Sequence, residues 1–169
     1  MKHGESGAMT QGGKLQLSED RLFSSDPVQR GIARELYAEV SGLPIISPHG
    51  HTDPSWFSGN ENFGNPTELF LAPDHYIYRM LYSQGHNLDR LGVPSKAGVP
   101  EHDPREAWRL FASNYHLFRG TPSRMWLDHV FANVFGMEER LSASTADSYY
   151  DTIDAALKSD AYKPHQSCR

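Results

Sequence analysis

From Val28 onward the apolar residues recur at every fourth position: Val28, Ile32, Leu36 and Val40, joined by Ala33 and Tyr37. That spacing lines one stripe of an α-helix. Asp26 stands ready as the N-cap and Pro27 at the first helical position, and Ser41-Gly42 stops the run. The pattern then changes. Leu43-Pro44-Ile45-Ile46 is a short continuous apolar run, and it predicts a strand over residues 43–48 with Pro44 and Pro48 near its ends. Residues 52–66 are rich in Pro, Gly, Asn and Ser and predict a loop around Trp56 and Phe57.

Helical spacing then continues almost to the end. Thr67 to Leu71 predicts a short helix. Asp74 caps another, with Ile77, Met80 and Leu81 on one face. Asp103-Pro104-Arg105-Glu106 has the form of a capping box, followed by Ala107, Trp108 and Phe111. Thr121-Pro122 opens a helix through Leu127, Val130, Phe131 and Val134, with Gly136 at its C-cap. Thr145 opens the last, carrying Tyr149, Ile153, Ala156 and Leu157. The expectation is one strand among five or six helices. A single strand cannot satisfy its own backbone groups. It must dock on something unusual, or its partner strands lie outside this chain.

Composition narrows the class. The 169 residues are 38% apolar and 22% charged, as in a globular domain, with a net charge of −5. Lys and Arg are scattered singly, which argues against a nucleic-acid partner. No segment approaches the ~20 apolar residues of a membrane span. The lone cysteine, Cys168, cannot form an internal disulfide. Residues 1–14 are polar and Gly-rich, read as a flexible tail, and lack the apolar centre of a secretory signal. A cytoplasmic protein is expected.

Two places could carry chemistry. The apolar run 43–46 leads into His49-Gly50-His51. In an extended chain, positions i and i+2 face the same way, so the two imidazoles would converge as a metal pair. Alone, H-x-H fits a polar turn after a strand better than a metal pair, and its place at the end of an apolar strand is what favours the metal; Asp53 is the nearest candidate for a third ligand. The second place is Asp74-His75-Tyr76. With Asp74 as N-cap, His75 and Tyr76 fall in the first helical turn, where free N–H groups favour an anion. An imidazole and a phenol there could move protons or hydrogen-bond a polyol, although a surface helix start explains them too. Arg79 lies one turn further on. His86, His102, His116 and His129 are isolated. No G-x-G-x-x-G, P-loop, G-x-S-x-G or C-x-x-C is present.

Together these pieces resemble the N-terminal part of a uronate (glucuronate) isomerase, a family within the amidohydrolase-like metal-dependent superfamily. The resemblance rests on Leu43-Pro44-Ile45-Ile46 with His49 and His51, the loop with Trp56, Thr67-Glu68-Leu69, Asp74-His75-Tyr76 with Arg79, and the helical stretch from Glu106-Ala107-Trp108 to Gly136. Ser47, Pro48 and Gly50 depart from the residues common around the histidine pair, without changing a ligand. The resemblance implies an α/β fold, the first part of a (β/α)8 TIM barrel, mostly helical in this chain with one strand at 43–48. It covers residues 15–162 and leaves 163–169 as an unmatched tail. It implies aldose–ketose interconversion of uronates: D-glucuronate with D-fructuronate, and D-galacturonate with D-tagaturonate. His49 and His51 would hold a divalent metal, zinc being the expected ion. His51, His75 and Tyr76 would be catalytic, and His75, Tyr76 and Arg79 would bind the sugar acid. A homo-oligomer would be a property of the full-length family. A barrel of this kind needs ~200 residues at least and typically ~250, so this chain is expected to be an N-terminal fragment without a complete site. A metal-dependent hydrolase of the same superfamily and a non-catalytic helical fragment are the other readings of these residues.

Overall fold

The computed structural model describes residues 13–46, 52–96, 98 and 100–167. The expected start at Asp26 is seen: its Oδ1 accepts hydrogen bonds from Val28 N and Gln29 N, both at 2.9 Å, and opens α1 (Pro27–Val40). The same Asp-Pro device recurs where the composition predicts only loop. Asp53 Oδ1 accepts from Ser55 N at 2.9 Å and opens a short helix, α2 (Pro54–Gly59). α3 (His75–Ser83), α4 (Pro104–Ser113), α5 (Pro122–Asn133), α6 (Ala146–Leu157) and the single turn α7 (Pro164–Ser167) follow.

Two expected caps differ in detail. Asp103 caps α4 through Arg105 N, but Glu106 turns to Arg109 and does not close a capping box, because a neighbouring guanidinium offers it a charged partner. The Thr145 hydroxyl accepts from Ser142 N and donates to Arg140 O, so it secures the approach to α6 and not the helix itself.

The core is aromatic and centred on α4. Ala107, Trp108, Phe111 and Ala112 bury one face of α4 against Tyr149, Tyr150, Ile153 and Leu157 of α6 and Leu127 and Phe131 of α5. Trp108 and Phe131 meet edge to face at 6.2 Å, as do Phe131 and Tyr149 at 5.2 Å. The buried indole donates Nε1–H to Ala146 O at 3.0 Å, so Trp108 carries no unmet polar group into the core. A half-buried pair locks the start of α5: Arg124 lies 3.9 Å over the Tyr115 ring and meets Asp128 at 2.7 Å, while Tyr115 donates its hydroxyl to Asp128 at 2.9 Å. Outside, Arg105 and Arg109 bridge α4 to Asp147 of α6 at 3.3 and 2.9 Å; exposed pairs of this kind add little each. Gly92 has φ +71°, and the His102 ring lies across the space a Cβ would need, so only glycine fits there.

Residues 13–15 and 165 are also tied to this body. Leu15 N donates to Glu138 O at 2.7 Å and Arg140 N to Gly13 O at 2.8 Å. At the other end, His165 N donates to Asn60 Oδ1 at 3.0 Å, and its Nε2 lies 2.6 Å from Phe57 O, which sets α7 on α2.

The α1 segment is the exception. No residue of α1 is buried, and Val28, Ile32, Leu36, Tyr37 and Val40 are all exposed. What holds α1 is slight: Arg34 meets Asp20 at 2.6 Å, and Phe23 touches the Tyr37 ring edge to face. The strand expected over 43–48 is not formed in its described part. Residues 43–46 pair with no segment among the described residues, and Ile45 and Ile46 are 94% and 89% exposed. The reason is physical: β-structure consists of hydrogen bonds to a neighbouring strand, and no neighbour lies alongside. The described residues are therefore helical, and the β layer implied by an α/β barrel is not represented in them.

Two predictions follow from the core. Trp108→Ala should cost about 3–5 kcal/mol, read from denaturant unfolding; a cost below about 1 kcal/mol would contradict the packing described. Burial pushes the Tyr115 and Tyr149 phenols above their ordinary value, with the Asp128 charge adding to it. The folded chain thus keeps protons that the unfolded chain loses from about pH 10 upward. Stability should hold below about pH 10 and fall steadily above it, and a flat profile across that range would contradict the burial of these phenols.

Candidate functional site

The start of α3 is set by an unusual turn. Residues Thr67–Leu71 form a wide helical turn closed by Ala72 N to Thr67 O at 2.9 Å. Phe70 and Leu71 are buried in the core, and the Thr67 hydroxyl donates to Pro104 O at 2.5 Å. The turn thereby pins Asp74 against the body. Asp74 Oδ1 accepts from Tyr76 N at 2.8 Å and Ile77 N at 3.3 Å. The free amides expected to receive an anion are thus already occupied by the Asp74 carboxylate. What the helix start offers is its side chains.

Those side chains face solvent. The rings of His75 and Tyr76 touch at a tilt of 33° with centroids 4.2 Å apart, and Tyr76 is 62% exposed. His75 makes no hydrogen bond among the described residues. Ile77 and Leu81, fully buried, hold the other face of α3 on the core. Tyr78 is turned back: its hydroxyl donates to Ala72 O, and burial together with the Asp74 charge pushes its phenol up to about 12. Of the two neighbouring tyrosines, Tyr76 is therefore the one available to a ligand.

Tyr76 and Arg79 share the wall of a cleft of about 660 Å³ between α3 and the start of α5, with Met80, Ser83, Phe118, Thr121, Pro122 and Ser123. Arg79 has no ion-pair partner among the described residues. His75 lies outside the cleft lining but in ring contact with Tyr76. The structure thus brings His75, Tyr76 and Arg79 onto one surface. The opposite wall, Phe118 to Ser123, is visible in sequence only as a helix start at Thr121-Pro122; its place beside α3 comes from tertiary packing.

The metal pair cannot be placed in the same way, because His49 and His51 lie outside the described residues. Asp53, the nearest candidate for a third ligand, is spent on capping α2, and the hydrogen bond from Ser55 N holds its carboxyl below the usual range. No group of three His, Cys, Asp or Glu side chains able to hold a metal occurs among the described residues. These residues do not by themselves fit a metal centre.

Comparison with known proteins identifies the family of the chain. A family model for glucuronate isomerase matches residues 20–168. The uronate isomerase of Phenylobacterium zucineum is 67% identical over 150 residues, which is 89% of this chain and 31% of that protein. The uronate isomerase of Sphingopyxis alaskensis is 65% identical over the same shares. The crystal structure of glucuronate isomerase from Caulobacter crescentus superposes with a TM-score of 0.87 at 64% identity, covering 91% of this chain and 32% of that one. A uronate isomerase structure from Thermotoga maritima, at 24% identity and a TM-score of 0.70, shares the fold. The chain spans about a third of the length of the relatives it matches. With the match running over nearly all of its residues, the chain belongs to the glucuronate isomerase family.

Proposed function

We propose that this chain supplies the N-terminal part of a uronate isomerase, and that His75, Tyr76 and Arg79 are its contribution to the uronate site. The observation that carries the reading is their placement: a solvent-facing His–Tyr ring pair at a capped helix start, with Arg79, which has no ion-pair partner among the described residues, one turn on and sharing the wall of one cleft with Tyr76. The substrate would be an aldose or ketose uronate, D-glucuronate with D-fructuronate or D-galacturonate with D-tagaturonate.

The reaction shifts two hydrogens, one from C2 to C1 and one from O2 to O1. A base takes the proton from C2 of the aldose, leaving an enediol; a proton returns to C1, and the carbonyl passes from C1 to C2. No group is lost or gained. On this reading Tyr76 and His75 hydrogen-bond the sugar oxygens and relay the hydroxyl proton between O1 and O2, while the Arg79 guanidinium attracts the carboxylate. The Asp74 cap and the buried Ile77 and Leu81 keep the pair from swinging away. His51 would join the catalytic set, and His49 and His51 would hold a divalent metal, with zinc expected; further ligands would come from beyond the described residues. The setting is cytoplasmic on this reading; no helix among the described residues is long and apolar enough to cross a membrane. Homo-oligomerisation belongs to the same proposal for the full-length family.

The test uses a full-length relative, such as the Phenylobacterium zucineum protein, substituted at the positions matching this chain. His75→Ala and Tyr76→Phe should each lower kcat/KM for uronate by roughly 100-fold or more. Arg79→Met should raise KM about tenfold with a smaller effect on kcat. Unchanged turnover in both His75→Ala and Tyr76→Phe would remove these residues from the site.

A further inference from the structure

On the α5 side of the cleft, one buried polar side chain is left idle by the proposed reaction. Two hydroxyls of the cleft wall are already spent on backbone: Ser83 donates to Met80 O at 2.7 Å, and Thr121 donates to Phe118 O at 2.7 Å while accepting from Arg124 N at 3.2 Å. Ser123 is different. It is 8% exposed, lines the cleft, and its hydroxyl makes no hydrogen bond among the described residues. Buried hydroxyls are ordinarily partnered. Among the described residues no fully enclosed side-chain oxygen lacks a partner, so the part of Ser123 still accessible includes its Oγ, open to the cleft. Its backbone N–H is open as well. Pro122 before it has no N–H, the Thr121 hydroxyl takes Arg124 N, and Thr121 O takes Met125 N at 3.2 Å. Nothing among the described residues takes Ser123 N. At α3 the Asp74 carboxylate fills the same place with negative charge. At α5 the cap is a neutral hydroxyl, so the positive end of a 12-residue helix stays uncompensated. Across the cleft, Arg79 makes neither ion pair nor hydrogen bond among the described residues, and no Asp or Glu lines the cleft. A hydroxyl, an amide and a guanidinium, all able to donate, thus share one cleft with no acidic group to receive them. That donor set suits a carboxylate.

We propose that the first turn of α5 is a carboxylate subsite: Ser123 receives one carboxylate oxygen through its hydroxyl and N–H, and Arg79 holds the other from across the cleft. The proposal rests on the reading of this cleft as part of a uronate site, and its test separates the two. It makes Ser123 a specificity-determining residue, one that tells a sugar acid from the neutral sugar. The carboxylate end of the substrate lies toward α5, and the carbonyl end toward His75 and Tyr76. At about 660 Å³ the cleft has the size of an ordinary small-molecule site.

The isotope-labelled chain is titrated with D-glucuronate, with acetate and with D-glucose, and its amide resonances are followed by NMR. D-glucuronate and acetate should shift the Ser123 amide saturably, and D-glucose should not. Ser123→Ala should weaken acetate binding about threefold, and Arg79→Met about tenfold. Ser123→Asp puts a negative charge at a helix start, where it is tolerated, so the fold should persist while acetate binding is lost. A Ser123 amide that does not move, one that moves equally with D-glucose, or acetate binding unchanged in Ser123→Asp would each overturn the subsite. If acetate binds as described, but D-glucuronate binds no tighter and is indifferent to His75→Ala and Tyr76→Phe, the subsite stands and the uronate reading falls. If D-glucuronate binding depends on His75 and Tyr76 but not on Ser123, the uronate reading stands and the subsite falls.

Discussion

A helix closes its hydrogen bonds within itself; a strand closes them only on a neighbour. That difference divides this molecule. From residue 52 to 167 every element is a helix or helical turn, and each can be completed by the chain's own side chains. Residues 43–46 carry a sequence suited to a buried strand and have no strand to lie against among the described residues. The helix before them, α1, inherits the same lack. It is well capped at Asp26 and amphipathic, yet among the described residues its apolar stripe meets little beyond the Phe23 ring and none of it is buried. At 14 residues it is near the length at which a helix without packing is marginal in water.

The self-sufficient part is what positions the candidate site. The aromatic core built on Trp108 fixes α4, α5 and α6 relative to one another. The wide turn at Thr67–Leu71 then plugs Phe70 and Leu71 into that core and delivers Asp74 to its capping position. With both the preceding turn and the inner face of α3 anchored, His75 and Tyr76 have little freedom except in their side chains. The geometry of the candidate site is thus a consequence of core packing some distance away.

Much of this was legible locally. Asp26, Asp74, Asp103 and Thr121 each announce a helix, because a cap depends on only three or four neighbouring residues. The faces carrying Trp108, Phe111, Leu127, Phe131, Tyr149 and Ile153 follow from spacing alone. Asp53-Pro54 carries the same cap signal as Asp26-Pro27, but the Gly- and Asn-rich composition around it outweighs that signal, and α2 is missed. Other features are decided by distant partners. Glu106 prefers Arg109 to a capping box, and Thr145 spends its hydroxyl on residues 140 and 142. Val134 fits the helical stripe of α5 but lies past its last packed turn and stays exposed. In the site, the residues His75, Tyr76 and Arg79 were readable as types at a helix start. The occupation of the helix amides by Asp74 and the far wall from Phe118 to Ser123 were not, since both depend on where the chain folds back. His49 and His51 remain a reading of sequence.

A stable helical body carries the candidate site, while the described residues leave the apolar face of α1 uncovered. Hydrogen–deuterium exchange of the isolated chain, resolved by peptide, tests it most directly. Amides of α4, α5 and α6 should be protected to the level of global unfolding, with α3 close behind, while those of residues 27–46 should exchange through local opening at a much lower free energy. Equal protection of residues 27–46 and the α4–α6 core would contradict the account, because it would mean that the chain by itself already covers the surface described as open.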